Sequence, residues 1–298
     1  MTILKIGHRG AAGLEPENTL RSFGKAISLG VDAVEFDLHK CKTGELVAIH
    51  DPSVNRTTNG IGLVADLTLA ELKLLDAGAE ETIPTFSEIL DFINKRVKVF
   101  IEIKEKGIAE LIFPEIELFK REKEWEDSNF IIISFHGDEL ARFHNLNPNI
   151  KTGFLVNDIS KNTFSLSHNF FVSFICPNFQ SVNKKFILGA QKEGFFVSVW
   201  TVDMPEDIEH MKKLGVYAIT SNFPDRFWSS LKKPSRAVLL LCFIYKAEKF
   251  IPPKTEKSNR KIKNAVKKAS ASGVENWQIN LKIDKTGVSI LDYFKLSF

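Results

Sequence analysis

Two histidines and three carboxylates stand at the ends of short apolar runs in the first third of this sequence. His8 follows the run ILKIG, and His50 follows LVAI. Glu35 and Asp37 are two residues apart in VEFDL and therefore project from the same face of a strand. Glu102 lies near the end of VFIEI. Imidazoles transfer protons near neutral pH, so this pattern indicates chemistry rather than packing alone.

The carboxylates of Glu35, Asp37 and Glu102 would repel one another at close range unless a cation neutralised them. A ligand set made only of oxygen atoms favours a hard divalent ion, Mg²⁺ or Ca²⁺. Arg9 directly follows His8, and Lys104 comes two residues after Glu102. They would either bind an anion or form salt bridges with the acids. With the histidines, the set predicts metal-assisted proton transfer at an anionic substrate.

Apolar runs alternate with helical patterns over residues 1 to about 231, which is typical of βα units around a parallel sheet. Eight strands emerge when ELVAIH is counted as a hairpin arm of the second strand. The runs are ILKIG, VDAVEFDL, VKVFIEI, NFIIIS, IKTGFLV, FFVSFICP, FFVSVWTV and VYAITS. The sequence therefore predicts an α/β fold, a (βα)₈ TIM barrel with a short insertion after the second strand and a basic C-terminal extension.

Helices are expected between most of these strands. The segment NDISKNTFSLSH is polar and rich in serine, so only a turn or a short helix is expected there. The other predicted helices cover residues 18–28, 68–75, 85–94, 108–123, 137–145, 183–193 and 205–213.

The active site of such a barrel lies at the carboxyl ends of its strands, where all the residues above are placed. Residues 51–82 are rich in Asn, Thr and Gly and are expected to wall one side of the pocket. Asn18 is expected to cap a helix that starts in PENT. His39 shares the strand parity of Asp37, but the strand is expected to end before it.

Ten short motifs follow one another along the chain: GHRG, PENT, EFD, HD, RTTNG, IPTFSEIL, IEIK, ISF, VWTVD and ITSNFPD. Their order resembles that of the glycerophosphodiester phosphodiesterase family of the phosphatidylinositol-phospholipase-C-like superfamily. The resemblance covers residues 1 to about 231. Its last motif lacks the aspartate that usually follows IT in the family, which affects the packing of the last loop.

The resemblance implies metal-dependent hydrolysis of glycerophosphodiesters, such as glycerophosphocholine and glycerophosphoethanolamine, to sn-glycerol 3-phosphate and an alcohol. The glycerol 2-hydroxyl would attack first, and water would then open a cyclic phosphate. The implied roles are general acid for His8, general base for His50, phosphate binding for Arg9 and Lys104, metal binding for Glu35, Asp37 and Glu102, and packing against glycerol for Trp200 and Phe135.

Two alternatives stay open on sequence grounds. A membrane-associated lysophospholipase D of the same superfamily would need an apolar groove for an acyl chain and would use the basic extension. A non-catalytic phosphate-binding protein is disfavoured because no histidine or acidic ligand is missing. Trp200 is equally compatible with packing inside the barrel.

Composition fits an enzyme of the cytoplasm. Of 298 residues, 44% are hydrophobic, enough for a large core. Cys41, Cys176 and Cys242 are too widely spaced to indicate disulfides or a zinc site, which favours a reducing compartment. No signal peptide is expected, because Gly7 and His8 already belong to the predicted site.

Charge divides the chain into two predicted parts, a barrel domain over 1–231 and a basic extension over 232–298. From Leu231 onward there are 15 Lys and Arg against 5 Asp and Glu, whereas residues 1–230 carry 25 against 32. The basic cluster at 254–268 predicts a solvated arm, with contact to an anionic membrane surface as the alternative.

Other features of the extension are less specific. Nucleic acid binding is not expected, because aromatic residues do not alternate with the charges. The apolar run 237–245 is too short to span a membrane and would dock on the barrel or a partner. A hairpin is expected around Lys285 to Gly287. The sequence indicates no particular oligomeric state.

Overall fold

Nine strands form one sheet that closes on itself in the computed structural model, which describes residues 3–228, 281–284 and 287–290. Every neighbouring pair is parallel except the pair formed by the short third strand. The strands are β1 Leu4–Gly7, β2 Ala33–Lys40, β3 Leu46–Ala48, β4 Lys98–Ile103, β5 Phe130–Ser134, β6 Lys151–Val156, β7 Phe174–Pro177, β8 Phe196–Val199 and β9 Ala218–Ser221.

The first strand closes the barrel by pairing on both sides. β1 pairs with β2 and with β9, where Leu4 faces Ala218 and Gly7 faces Ser221. β3 is the antiparallel arm on β2 that the sequence predicts. The eight parallel strands and their helices confirm the (βα)₈ TIM barrel.

Helices connect the strands, and most of their bounds agree with those predicted from the sequence. The second helix is shorter than expected, and the polar segment before β7 does form a short helix. The helices are α1 Leu20–Ser28, α2 Leu69–Leu72, α3 Phe86–Ile93, α4 Ala109–Lys123, α5 Gly137–Leu146, α6 Thr163–Asn169, α7 Lys184–Lys192 and α8 Pro205–Leu214. Capping boxes of Thr68 with Glu71 and of Thr85 with Glu88 start α2 and α3.

The barrel interior is apolar at one level and acidic at the next. Ala33 of β2 and Phe100 of β4 belong to an apolar cluster inside the barrel. Glu35 comes two residues after Ala33 and faces Phe100 in the register, and two residues further along both strands Asp37 faces Glu102. Because side chains alternate across a strand, Glu35, Asp37 and Glu102 share the interior face with this cluster. The strands therefore place the carboxylates above an apolar floor.

Contacts divide the chain into two units, Met1–Ser230 and Leu231–Phe298. In the second unit, β10 Leu281–Asp284 pairs antiparallel with β11 Gly287–Ile290, so the expected hairpin is confirmed. The apolar run 237–245 and the basic cluster 254–268 lie outside the described residues. Within the described part of the chain, no helix has the length and apolar character that a membrane crossing requires.

Candidate active site

A cavity of about 110 Å³ opens at the carboxyl ends of the barrel strands. Its floor is apolar and includes Phe100, Ile133, Leu155 and Cys176. Eight of the nine predicted site residues line it, and the ninth, Asp37, is fully buried beside them. The eight are His8, Arg9, Glu35, His50, Glu102, Lys104, Phe135 and Trp200.

The loop after β1 turns so tightly that both glycines of GHRG are required. A Cβ on Gly7 would lie 2.2 Å from the carbonyl oxygen of Gly10. Gly10 itself has φ of +85°, and a Cβ there would lie 2.5 Å from Ser22. The turn lets the backbone N–H of His8 donate to the carbonyl of Ser221 on β9, at 2.9 Å. It thereby fixes His8 at the barrel rim.

Three carboxylates meet at this rim. One oxygen each of Glu35, Asp37 and Glu102 lies within 4.8 Å of the other two, and all three side chains are buried. Oε1 of Glu35 and Oδ1 of Asp37 accept no hydrogen bond from any described residue. Buried acceptors without donors and an all-oxygen ligand set fit a hard divalent cation.

The same crowding shifts the pKa values of the three acids in different directions. Burial, followed by the charges of Asp37 and Glu102, holds the pKa of Glu35 well above its usual range. Burial and the charge of Asp37 raise the pKa of Glu102 to about 7. Burial would also raise the pKa of Asp37, but Arg9 and then Lys104 outweigh it and lower that pKa to about 2. The protein's own cations thus neutralise only part of the cluster.

Arg9 and Lys104 contact the acids and also line the cavity. The backbone N–H of Arg9 donates to Glu35 at 2.9 Å, and its Nε lies 3.2 Å from Oδ2 of Asp37. Nζ of Lys104 donates to Glu102 at 2.8 Å and lies 3.5 Å from Oδ1 of Asp37. Each side chain is 15% exposed and lines the cavity. The positions of Arg9 and Lys104 are therefore compatible with both predicted roles, a salt bridge with the acids and contact with an anion.

His8 has a different neighbour at each ring nitrogen. Its Nδ1 lies 2.6 Å from Oδ1 of Asn222, and its Nε2 lies 3.8 Å from Oε2 of Glu35. Burial, followed by the charge of Arg9, lowers the pKa of His8 to about 4. Asn222 in turn is hydrogen-bonded to Asp203.

Asn222 and Asp203 are not among the site residues that the sequence predicts. A signal was present, because Asp203 ends the motif VWTVD and Asn222 stands where ITSNFPD departs from the family pattern. Both follow barrel strands at the rim.

His50 is held through a chain of charged side chains. Its Nδ1 lies 2.6 Å from Oδ1 of Asp51. Arg56 donates from Nη2 to the same Oδ1 and from Nε to Oδ2 of Asp51. Arg56 also donates from Nη1 and Nη2 to Glu17. The hydrogen bond from Arg56, followed by that from His50, lowers the pKa of Asp51 in spite of partial burial.

The segment 51–82 does not wall the pocket as predicted. It has its own core, which includes Val54, Val64 and Leu72, and none of the residues that line the main cavity comes from it. Its apolar side chains pack inward on one another. It meets the site through the pair of Asp51 and Arg56, and its residues Thr57 and Ala77 line a smaller pocket beside His50.

Two residues have roles that differ from those predicted. Asn18 is not the helix cap, because Thr19 accepts from the backbone N–H of Ser22 and starts α1. Nδ2 of Asn18 instead donates to Oδ2 of Asp37 at 2.9 Å. β2 continues past His39, whose Nε2 lies 3.2 Å from the carbonyl of His50, and His39 does not line the cavity.

Trp200 and Phe135 form an edge-to-face aromatic pair at the cavity, with ring centroids 5.7 Å apart. Nε1 of Trp200 donates to the carbonyl of Cys176 at 2.7 Å, and its ring also packs against the interior apolar cluster. Phe135 is 40% exposed. Trp200 therefore serves barrel packing and cavity lining together.

The glycerophosphoryl diester phosphodiesterase family model matches residues 8–226, the span that carries all nine predicted site residues. The fold and site thus define a barrel phosphodiesterase, an enzyme that hydrolyses phosphoric diesters. More specifically, the chain belongs to the glycerophosphoryl diester phosphodiesterase family.

Similar proteins align with this chain over nearly their whole length. A glycerophosphodiester phosphodiesterase of Caldanaerobacter subterraneus is 37% identical over 78% of this chain and 99% of that protein. One of Bacillus altitudinis is 34% identical over 74% and 95%. An Oleispira antarctica phosphodiesterase, solved with its product sn-glycerol-3-phosphate, matches with a TM-score of 0.71 and 27% identity over 76% of this chain and 95% of that one.

Proposed function

We propose that this protein hydrolyses glycerophosphodiesters, such as glycerophosphocholine and glycerophosphoethanolamine, to sn-glycerol 3-phosphate and the free alcohol, with His8 and His50 as proton-transfer groups and with a divalent metal ion. The observation that carries the proposal is the cavity itself, where two imidazoles, two cations and a buried carboxylate cluster face the same space. The product bound to the Oleispira relative supports the choice of substrate.

Arg9 and Lys104 are suited to bind the phosphodiester, because both charges reach the cavity while their other sides face the acids. Glu35, Asp37 and Glu102 would hold Mg²⁺ or Ca²⁺. The bound ion would stabilise negative charge that develops on the phosphoryl oxygens. A cavity of about 110 Å³ suits a glycerol phosphate group without an acyl chain.

The proposed reaction has two displacements at phosphorus. The glycerol 2-hydroxyl forms a bond to phosphorus and loses its proton to His50. The bond to the head-group oxygen breaks, and His8 gives that oxygen a proton. Water then opens the cyclic phosphate with the proton transfers reversed, which leaves glycerol 3-phosphate. The low pKa of His8 requires that the anionic diester beside it favour its protonated form.

Release of glycerol 3-phosphate from a panel of glycerophosphodiesters tests the proposal, with and without EDTA and with Mg²⁺ or Ca²⁺ restored. His8→Ala and Glu35→Ala should each abolish release. The exposed residues His210 and Glu206 of α8 provide matched alanine controls that should keep it. Metal-independent release, or release that survives both site variants, would refute the proposed site.

The same panel separates the alternatives. Greater activity on a lysophospholipid than on its deacylated form would establish a lysophospholipase D. Phosphate binding without release from any diester would establish a binding protein.

A peripheral contact with anionic membranes is proposed for the basic extension on its charge alone. Replacement of Lys261, Lys263, Lys267 and Lys268 by Gln in the full chain should weaken sedimentation with anionic vesicles and leave turnover of soluble diesters unchanged. Equal sedimentation of both proteins would exclude the contact. A cytoplasmic location stays a prediction.

A further inference from the structure

Asp203 holds the side-chain amide of Asn222 in one orientation. Oδ2 of Asp203 accepts from Nδ2 of Asn222 at 2.8 Å. Oδ1 of Asp203 accepts from the backbone N–H of Asn222 at 2.8 Å and from Oγ of Ser221 at 3.0 Å. An ionised carboxylate only accepts hydrogen bonds, so the NH₂ group of the amide must face Asp203.

The opposite end of this amide meets His8. With its NH₂ group turned to Asp203, Asn222 presents its carbonyl oxygen to Nδ1 of His8 at 2.6 Å. A carbonyl oxygen only accepts, so Nδ1 must carry a proton. We propose that Asn222, oriented by Asp203, is a positioning residue that fixes the proton of neutral His8 on Nδ1.

The consequence is that Nε2 is the ring nitrogen free to gain and lose a proton. Nε2 lies 3.8 Å from Oε2 of Glu35, which lines the cavity as His8 does. The other tautomer would turn a protonated Nε2 toward the substrate and leave Nδ1 as an acceptor facing a carbonyl oxygen. The Asn222 and Asp203 pair therefore prepares His8 for proton transfer in either direction.

Substitutions at Asp203 and Asn222 can reverse the direction of the hydrogen bond to His8 and then restore it. In Asp203→Asn, the backbone N–H of residue 222 keeps an oxygen at the Oδ1 position, so the new NH₂ group faces that of Asn222. Two donors in contact drive the Asn222 amide to flip, and its NH₂ group then faces His8. The tautomer of His8 should shift to Nε2–H. In the double variant Asp203→Asn with Asn222→Asp, the new amide donates to the new carboxylate, which again accepts from Nδ1–H.

We would measure ¹⁵N chemical shifts of the full-length protein labelled at histidine, at a pH where imidazoles are neutral, with His8 assigned by loss of its signals in His8→Gln. The wild type and the double variant should show a protonated Nδ1. Asp203→Asn should show a protonated Nε2 and a kcat lower by roughly tenfold or more, with KM nearly unchanged. Asp225→Asn, an exposed change in the same turn, is the control for added amide and lost charge.

An Nε2–H tautomer in the wild type would overturn the inference, and so would unchanged shifts and kcat in Asp203→Asn. A double variant that recovers folding but not the Nδ1–H signal would do the same. The inference rests on the proton-transfer role proposed for His8, but the NMR measurement tests the tautomer and the release assay tests the function. A wild type that shows the expected tautomer but releases no glycerol 3-phosphate refutes the function alone.

Discussion

Asp37 and Glu102 are direct partners in the parallel register of β2 and β4, and the pKa values of their carboxyl groups are shifted in opposite directions. The pKa of Asp37 falls to about 2, and that of Glu102 rises to about 7. The difference follows from their contacts. Arg9 and Asn18 reach Asp37, whereas Lys104 is the only described residue that forms an ion pair with Glu102, and it is also 3.5 Å from Asp37. The neighbourhood therefore lacks one or more positive charges when the acids are ionised.

Stability without metal should fall as the pH rises. A raised pKa in the folded state means that the fold is favoured below the unfolded value and that this gain is lost as the pH rises through the folded value. For Glu102 the window runs from about 4.5 to about 7, and Glu35 shifts in the same direction. Thermal unfolding in EDTA should show a Tm that decreases across this window. Mg²⁺ or Ca²⁺ should raise the Tm most on its alkaline side.

The variant Glu102→Gln isolates this effect, because an amide does not ionise. Its Tm in EDTA should depend less on pH than that of the wild type, and it should respond less to added ion. Glu206→Gln, an exposed change on α8, should behave as the wild type does. Equal pH profiles for all three proteins would show that the carboxylate cluster is not the source of the dependence.

Asn18 should matter for metal affinity rather than for helix start. Asn18 has φ of +57°, so Asn18→Gly removes the amide without backbone strain. Loss of the donor to Oδ2 of Asp37 should weaken ion binding by about 10-fold or more, as for other groups that orient metal ligands. Calorimetric titration with Mg²⁺ and Ca²⁺ measures it. Asn94→Gly, exposed and with φ of +45°, is the matched control, and equal weakening there would contradict the role.

Arg56 should affect turnover more than stability. Arg56→Ala removes the hydrogen bonds that fix Asp51, the partner of His50, so kcat should fall by roughly tenfold, less than the loss of a general base itself. The Arg56 side chain is 47% exposed, so the free energy of unfolding should change by no more than about 1 kcal/mol. Steady-state kinetics and Tm measure the two effects. A similar loss of kcat in Arg142→Ala, an exposed ion-pair variant on α5, would contradict a specific role.

The barrel was predictable from the sequence because its signals are local. Each strand is a short apolar run, and the capping box of Thr85 with Glu88 marks the start of α3 within four residues. The same locality predicted which side chains reach the rim, since residues two apart on a strand share a face. Strand ends therefore indicated the site before any contact was known.

What escaped prediction depends on contacts between distant parts of the chain. Asn222 meets His8 across 214 positions, and Asn18 meets Asp37 across 19, so neither pairing has a sequence pattern. β2 runs through His39 because β3 pairs with that part of it, as in the pairing of His39 with Val47. A hairpin arm thus lengthened a strand that its own residues would have ended earlier.

The roles of the two histidines can be assigned through the leaving group. A general acid matters most when a poor leaving group departs, because an alkoxide needs a proton and p-nitrophenolate does not. If His8 is the acid, His8→Ala should lose far less kcat on the p-nitrophenyl ester of glycerol 3-phosphate than on glycerophosphocholine. His50→Ala should lose similar amounts on both, because attack by the 2-hydroxyl needs a base in either case. If His50→Ala instead keeps its kcat on the p-nitrophenyl ester, His50 is the general acid and His8 is the general base. That assignment would agree with the pKa of about 4, which leaves His8 neutral before substrate binds.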